Sequence, residues 1–190
     1  MRALALAVLL SAALAHGGHY LPLSGAGVQV MQSPKPLPAV ELVDAAGRAV
    51  SFPPKGQAWA LYLGYTRCPD SCPLTLERLR QAHRGLGSPA GVRLGFLSLD
   101  PQHDTPAVLG RYLKGFEPVV GFTGTPEAVA RAAGALEVRY NPAPGGVRLY
   151  HTDVVVLLDA RGRVLRLIYG ASRLSAAQLA GELQRLGGSS

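Results

Sequence analysis

An α/β sandwich around a mixed central sheet is the fold class that this 190-residue sequence predicts, and three observations predict it. Apolar runs of strand length at 59–63 and 92–99 alternate with stretches whose apolar residues recur at helical spacing: Leu76, Leu79, Ala82 and Leu86, then Val108, Leu109, Tyr112, Leu113 and Phe116. Near the C-terminus two strand-like segments, 152–158 and 164–169, flank the short turn Asp159-Ala160-Arg161-Gly162-Arg163, which makes them antiparallel. A closing helix with its own start signal follows. Strands interleaved with helices, then a hairpin and a helix, bury a sheet between helical layers.

In chain order, Met1-Arg2, the apolar run 3–14 and the small-x-small end Ala13-Leu14-Ala15 have the form of a secretory signal. The run is short for a bilayer span, which needs about 20 residues, so cleavage after Ala15 is expected, with an uncleaved anchor as the alternative. Residues 16–38 are rich in Gly, Pro and Ser and read as a linker, leaving 39–190 as one domain. His16 and His19 fall in that linker. An N-terminal amine with the His16 imidazole suits Cu(II); two solvated linker histidines are the plainer reading.

The domain opens with a hairpin, 40–43 and 49–52, joined through Asp44-Ala45-Ala46-Gly47-Arg48. The strand 59–65, a cysteine-bearing loop and a helix over 73–86 come next. After the 92–99 strand and the loop 100–104, Thr105 caps a helix with Pro106 at its first position. Thr125-Pro126 opens another, with Val129, Ala132, Ala133 and Leu136 inside. A Pro/Gly loop spans 141–146. The last helix starts at the capping box Ser175-Ala176-Ala177-Gln178, stapled by Leu174 and Leu179, and Gly187 follows its end.

The formal net charge of +7 favours acidic partners or anionic membrane surfaces. The basic residues are scattered, however, and no Lys/Arg block interleaved with aromatics argues for nucleic-acid binding.

The chemistry concentrates in Tyr65-Thr66-Arg67-Cys68-Pro69-Asp70-Ser71-Cys72-Pro73, which holds both cysteines of the chain. They sit where a strand turns into a helix, and unpaired N–H groups at a helix start stabilise a thiolate. Residues four apart share a helix face, so both sulfurs can point at one object. That object is the partner sulfur in a disulfide, a redox substrate, or a metal ion. A purely structural disulfide is the weakest of the three, because closing so short a loop restrains the unfolded chain by only about 2 kcal/mol.

The order of elements around a paired-cysteine loop resembles the thioredoxin fold. GYTRCPDSCPLTLERL, SLDPQHDTPAVLGRYLKGF, and His151 before a strand ending in Asp159-Ala160-Arg161-Gly162 more closely resemble the SCO/SenC family, copper-handling proteins of respiratory oxidase assembly. The likeness covers roughly 37–186. Thioredoxins space their cysteines by two residues, whereas three separate Cys68 from Cys72.

The resemblance implies that Cys68, Cys72 and His151 bind one copper ion. Soft thiolates suit Cu(I), and an imidazole beside them accommodates Cu(II) as well. In a thioredoxin-like sheet the strand after His151 runs antiparallel beside 59–65, which brings His151 to the edge where Cys68 lies. His103 follows a neighbouring strand and is the alternative ligand; His83 is read as solvated. Family members often carry an acidic residue before this histidine, where Tyr150 stands here, which bears on Cu(II) affinity. Asp100 and Asp70 are candidates for a supporting role, against plain readings as a loop cap and a turn-former.

Two functions follow from the resemblance. One is a monomeric copper chaperone, exported to the periplasm or the outer face of the cytoplasmic membrane, that metallates the dinuclear copper site of cytochrome c oxidase subunit II, with another periplasmic copper carrier as a further partner. The other is a thiol–disulfide oxidoreductase that reduces the cysteines of that site. Only the first needs His151. A peroxidase using Cys68 is a weaker third reading, because no motif marks a peroxide pocket.

Overall fold

The computed structural model describes residues 20–23, 26–87, 91–142 and 149–188. The apolar run 3–14, His16 and His19 lie outside the described residues. The strands are β1 (Tyr20–Leu23), β2 (Ala26–Lys35), β3 (Val40–Asp44), β4 (Ala49–Phe52), β5 (Ala58–Gly64), β6 (Val92–Ser98), β7 (Val120–Thr123), β8 (Tyr140–Pro142), β9 (Leu149–His151), β10 (Val154–Leu158) and β11 (Val164–Tyr169). The helices are α1 (Ser71–Gly85), α2 (Pro106–Leu113), α3 (Pro126–Ala135) and α4 (Ala176–Gly187).

Nine strands form one mixed sheet in the order β1-β2-β11-β10-β5-β6-β7-β3-β4, while β8 and β9 make a separate two-stranded sheet. At its centre β5 pairs parallel with β6 and antiparallel with β10. All seven residues of β5 are buried, because helices cover both faces and alternation has nothing to distinguish. Ala58, Ala60 and Tyr62 pack with Leu76 and Leu79 of α1, Leu109 of α2 and Leu183 of α4. Trp59, Leu61 and Leu63 pack on the other face with Val129 and Ala133 of α3. Parallel β5 and β6 both end on one edge, where the loop leaving β5 carries Cys68 and leads into Cys72 in the first turn of α1, and the loop leaving β6 holds residues 99–105. Such an edge, beyond the carboxyl ends of parallel strands, is where open α/β sheets place ligands.

Two hairpin turns repeat one device. Asp44 Oδ1 accepts from the backbone N–H groups of Ala46 and Arg48, both at 2.9 Å, and Oδ2 accepts from Arg48 Nε at 2.7 Å. Asp159 does the same for Arg161 and Arg163 with the same three distances. Burial works against each charged carboxylate, yet the arginine and backbone donors outweigh it and hold both pKa values below the ordinary range.

Three sequence expectations are corrected. The stretch read as a linker contains β2, which pairs antiparallel with β11 and buries its own Val28 opposite Ile168; flanking Gly and Pro obscured the alternation. The strand expected over 152–158 starts two residues later, as β10, and an unexpected short strand, β9, precedes it and pairs with β8 instead of joining the main sheet. His83 is not solvated: it is buried on α1, and its Nε2 is 3.1 Å from the carbonyl oxygen of Val92.

Candidate metal centre

The site is built where β5 ends and α1 begins. Asp70 occupies the N-cap position of α1, but its side chain makes no capping hydrogen bond. The sulfur of Cys68 takes the capping role, accepting from the Cys72 backbone N–H at 3.4 Å. A thiolate there meets unpaired amide donors and the positive end of the helix. Ser71 Oγ adds a contact at 3.6 Å.

Cys72, one turn on, is completely buried, whereas Cys68 is partly exposed, and both are free thiols. The pair shares a proton unequally. The hydrogen bond from Cys72 pulls the Cys68 pKa far down, against burial and with help from His151 and Ser71. The same hydrogen bond, together with burial, pushes Cys72 up. Cys68 is the thiolate and Cys72 the protonated member.

His151 arrives from β9. Its Nε2 lies 3.6 Å from Cys72 Sγ, and one donor atom each from Cys68, Cys72 and His151 all fall within 4.8 Å of one another. Nδ1 sits 3.1 Å from the Thr152 carbonyl oxygen, which must accept its proton; Nε2 therefore faces the sulfurs. Burial disfavours the imidazolium, but the Cys68 thiolate and the Thr152 carbonyl outweigh it and raise the His151 pKa. Two sulfurs and one imidazole nitrogen converging in this way form a soft donor set suited to copper.

The other sequence candidates lie outside this triad. Asp100 accepts from Arg67 Nη2 at 2.7 Å and from His103 Nδ1 at 2.8 Å, so its carboxylate is spent on the rim. His103 is tied to that carboxylate and is not among the converging donors. Asp70 is exposed, and Tyr150 is 66% exposed because the two-residue period of β9 points it away from His151.

Several residues that support the site were missed by sequence reasoning. The Tyr62 hydroxyl donates to Cys72 Sγ at 3.8 Å, and the Tyr65 ring meets the His151 ring edge-on at 6.0 Å. Asp104 is fully buried. It accepts from Thr66 N at 2.9 Å and Thr66 Oγ1 at 2.6 Å, and from Ser98 Oγ at 2.6 Å, fastening the cysteine loop to the end of β6. Asp153 Oδ2 accepts from Ser172 N and Oγ, and its charge acts on both His151 and Tyr62. Thr66 and Asp104 lie inside the quoted motifs, so the signal was there; the pairing of a loop hydroxyl with a carboxylate 38 residues on was not.

The family profile described as SCO1/SenC matches residues 33–187. The chain belongs to the SCO1/SenC family. The human protein named SCO2 homolog, mitochondrial, is 35% identical over 155 residues, covering 76% of this chain and 57% of its own length. The chain thus matches little more than half of that relative. Among solved structures, copper-bound ScoI of Bradyrhizobium japonicum is similar with a TM-score of 0.70 at 31% identity, covering 78% of this chain and 98% of that one. Apo Sco1 of Thermus thermophilus gives a TM-score of 0.70 at 33% identity, covering 83% and 94%. The SCO1/SenC match takes in both cysteines, His151 and the strands from β3 to β11.

Proposed function

We propose that this chain is an exported copper chaperone that delivers copper to the dinuclear copper site of cytochrome c oxidase subunit II. The observation that carries the reading is the convergence of Cys68, Cys72 and His151, with both cysteines free. Two thiolates satisfy Cu(I) by themselves, and His151 adds the nitrogen that Cu(II) requires, so the site accommodates either state. The family likeness supports copper as the cargo, since one relative has been seen with copper bound. Partial exposure of Cys68 leaves one ligand open to exchange with an incoming thiolate, while Cys72 and His151 hold on from below. Copper titration of the reduced protein, followed by incubation with a reduced apo subunit II fragment, tests this: one Cu(I) per chain and its transfer are expected. A reduced protein that binds no copper would end the reading.

A second reading, reduction of the cysteines of that same copper site, is favoured by the inequality of the two thiols. A thiolate at Cys68 beside a protonated Cys72 is the arrangement a dithiol reductant uses, one sulfur attacking and the other resolving. His151→Ala separates the two, because it removes a copper ligand and leaves the dithiol.

Export rests on residues 1–15 and places the domain in the periplasm or on the outer face of the cytoplasmic membrane. Among the described residues no helix is long and apolar enough to cross a membrane. Mass spectrometry of the protein from native fractions, expected to show a chain lacking residues 1–15, tests this part. Full-length chains confined to membranes would favour an anchor.

A further inference from the structure

The Tyr62 hydroxyl is an anomaly in its strand. β5 is otherwise entirely apolar apart from the indole nitrogen of Trp59, and Tyr62 is 0% exposed. Burying a phenol hydroxyl without an acceptor costs about 1–3 kcal/mol, so an isolated hydroxyl here would be worse than the bare ring of phenylalanine. Its acceptor is Cys72 Sγ at 3.8 Å, and its other polar neighbour is the fully buried Thr75 hydroxyl. The ring also lies 6.4 Å from His151 in an edge-on arrangement, so Tyr62 touches two of the three donors. Space is cleared for this contact: a Cβ on Gly64 would stand 2.6 Å from Cys72 Sγ.

We propose that Tyr62 is a positioning residue that sets the electron density on Cys72 through this hydrogen bond, biasing the site toward reduced states: Cu(I) over Cu(II), and dithiol over disulfide. The part concerning copper rests on the function proposed above; the part concerning the dithiol does not. A donor to sulfur stabilises the form that carries more negative charge there. Thiolate bound to Cu(I) keeps more charge than thiolate donating into Cu(II), and the sulfur of a reduced cysteine accepts a hydrogen bond better than a disulfide sulfur.

Tyr62→Phe removes the hydroxyl and keeps the ring against Phe96 and His151. Phe96→Leu alters the packing beneath the ring, 6.2 Å away, and leaves the donor in place. With Tyr62→Phe, the sulfur-to-Cu(II) charge-transfer band should move to longer wavelength, and the preference for Cu(I) over Cu(II) should fall about fivefold, the worth of one neutral hydrogen bond. In a copper-free arm, equilibration with reduced and oxidised glutathione should favour the Cys68–Cys72 disulfide about fivefold more than in wild type. Phe96→Leu should leave both readouts where they are. An unchanged band and an unchanged glutathione equilibrium in Tyr62→Phe would overturn the proposal, as would equal shifts in Phe96→Leu, which would assign the effect to packing. A wild-type protein that binds no copper would end the proposed function, and the glutathione arm would then decide the role of Tyr62 by itself.

Discussion

Cys72 Sγ lies 3.6 Å from His151 Nε2 although 79 positions separate them, so the third donor reaches the dithiol through the pairing of β10, the strand that follows it, with β5. The dithiol and the imidazole are therefore supplied by different parts of the fold, and substitutions can address them separately.

His151→Ala should retain Cu(I), held by two thiolates, and lose the coloured Cu(II) species. Altering a group that merely supports a ligand costs about 10- to 100-fold in affinity, so removing the ligand itself should weaken Cu(II) by more than about 100-fold. Competition with a Cu(I) chelator and visible absorption spectra measure the two states. Equal loss of both would place His151 in the Cu(I) site as an obligatory ligand.

Cys68 should be alkylated by iodoacetamide at a nearly constant rate from pH 8 down to pH 5, because its lowered pKa keeps the thiolate populated. An ordinary cysteine slows about tenfold per pH unit below its pKa. Cys72, buried and protonated, should remain unmodified in the folded protein. Peptide mapping by mass spectrometry distinguishes them, and labelling of Cys72 first would reverse the assignment of roles.

Gly64→Ala should displace Cys72, since the added methyl would stand 2.6 Å from its sulfur and 3.1 Å from Phe96 Cε2. Neither neighbour has room to retreat in a packed core, so a loss of about 1–3 kcal/mol in unfolding free energy is expected, together with weaker copper binding. Urea denaturation and chelator competition check both parts. Wild-type copper affinity would show that Cys72 tolerates the shift.

Asp104→Ala should free the cysteine loop. It strips partners from the Thr66 amide and from two hydroxyls in a buried setting, at about 1–3 kcal/mol for the groups left unpaired. Hydrogen exchange at Thr66 should accelerate by more than within α4, which makes no hydrogen bond to Asp104. A uniform acceleration would mean that Asp104 serves global stability alone.

Asp159→Asn should destabilise the β10–β11 hairpin by about 1–2 kcal/mol at pH 7 through loss of the charge-assisted bond to Arg163. The folded-state pKa of Asp159 is depressed, so its contribution is complete above the unfolded value of about 3.9 and disappears as pH falls through the folded value. Wild type and variant should therefore converge in stability as pH falls through the folded value. Denaturation curves at pH 7 and along a descending pH series provide the measurement, and a gap that stays constant throughout the series would point to packing instead of charge.

Much of this was legible in the sequence where local chemistry and tertiary structure agree. Ser175 and Gln178 form the expected capping box, Thr105 and Thr125 cap helices that open with proline, and β5, β6 and β10 lie where the apolar runs stand. The misreadings share a cause: the deciding partner is remote. β2 is recognisable as a strand only beside β11, and β7 is four residues long and takes its identity from β6 and β3. His83 sits among Arg84, Gln81 and Arg80, which suggest a wet face, yet the neighbouring strand offers it the Val92 carbonyl. At the site, Cys68 and Cys72 were legible because they are close in sequence. Tyr62 was not, since a strand tyrosine carries no mark of what its hydroxyl will meet.

The pair β8–β9 stands apart from the nine-stranded sheet, yet it carries His151. The dithiol is complete once β5 has handed over to α1, whereas the imidazole joins only after the last third of the chain has docked. Three-donor copper binding is thus a proofreading signal for the fold itself: a chain whose C-terminal hairpin is misplaced still holds two thiols, but it lacks the nitrogen that retains the oxidised ion.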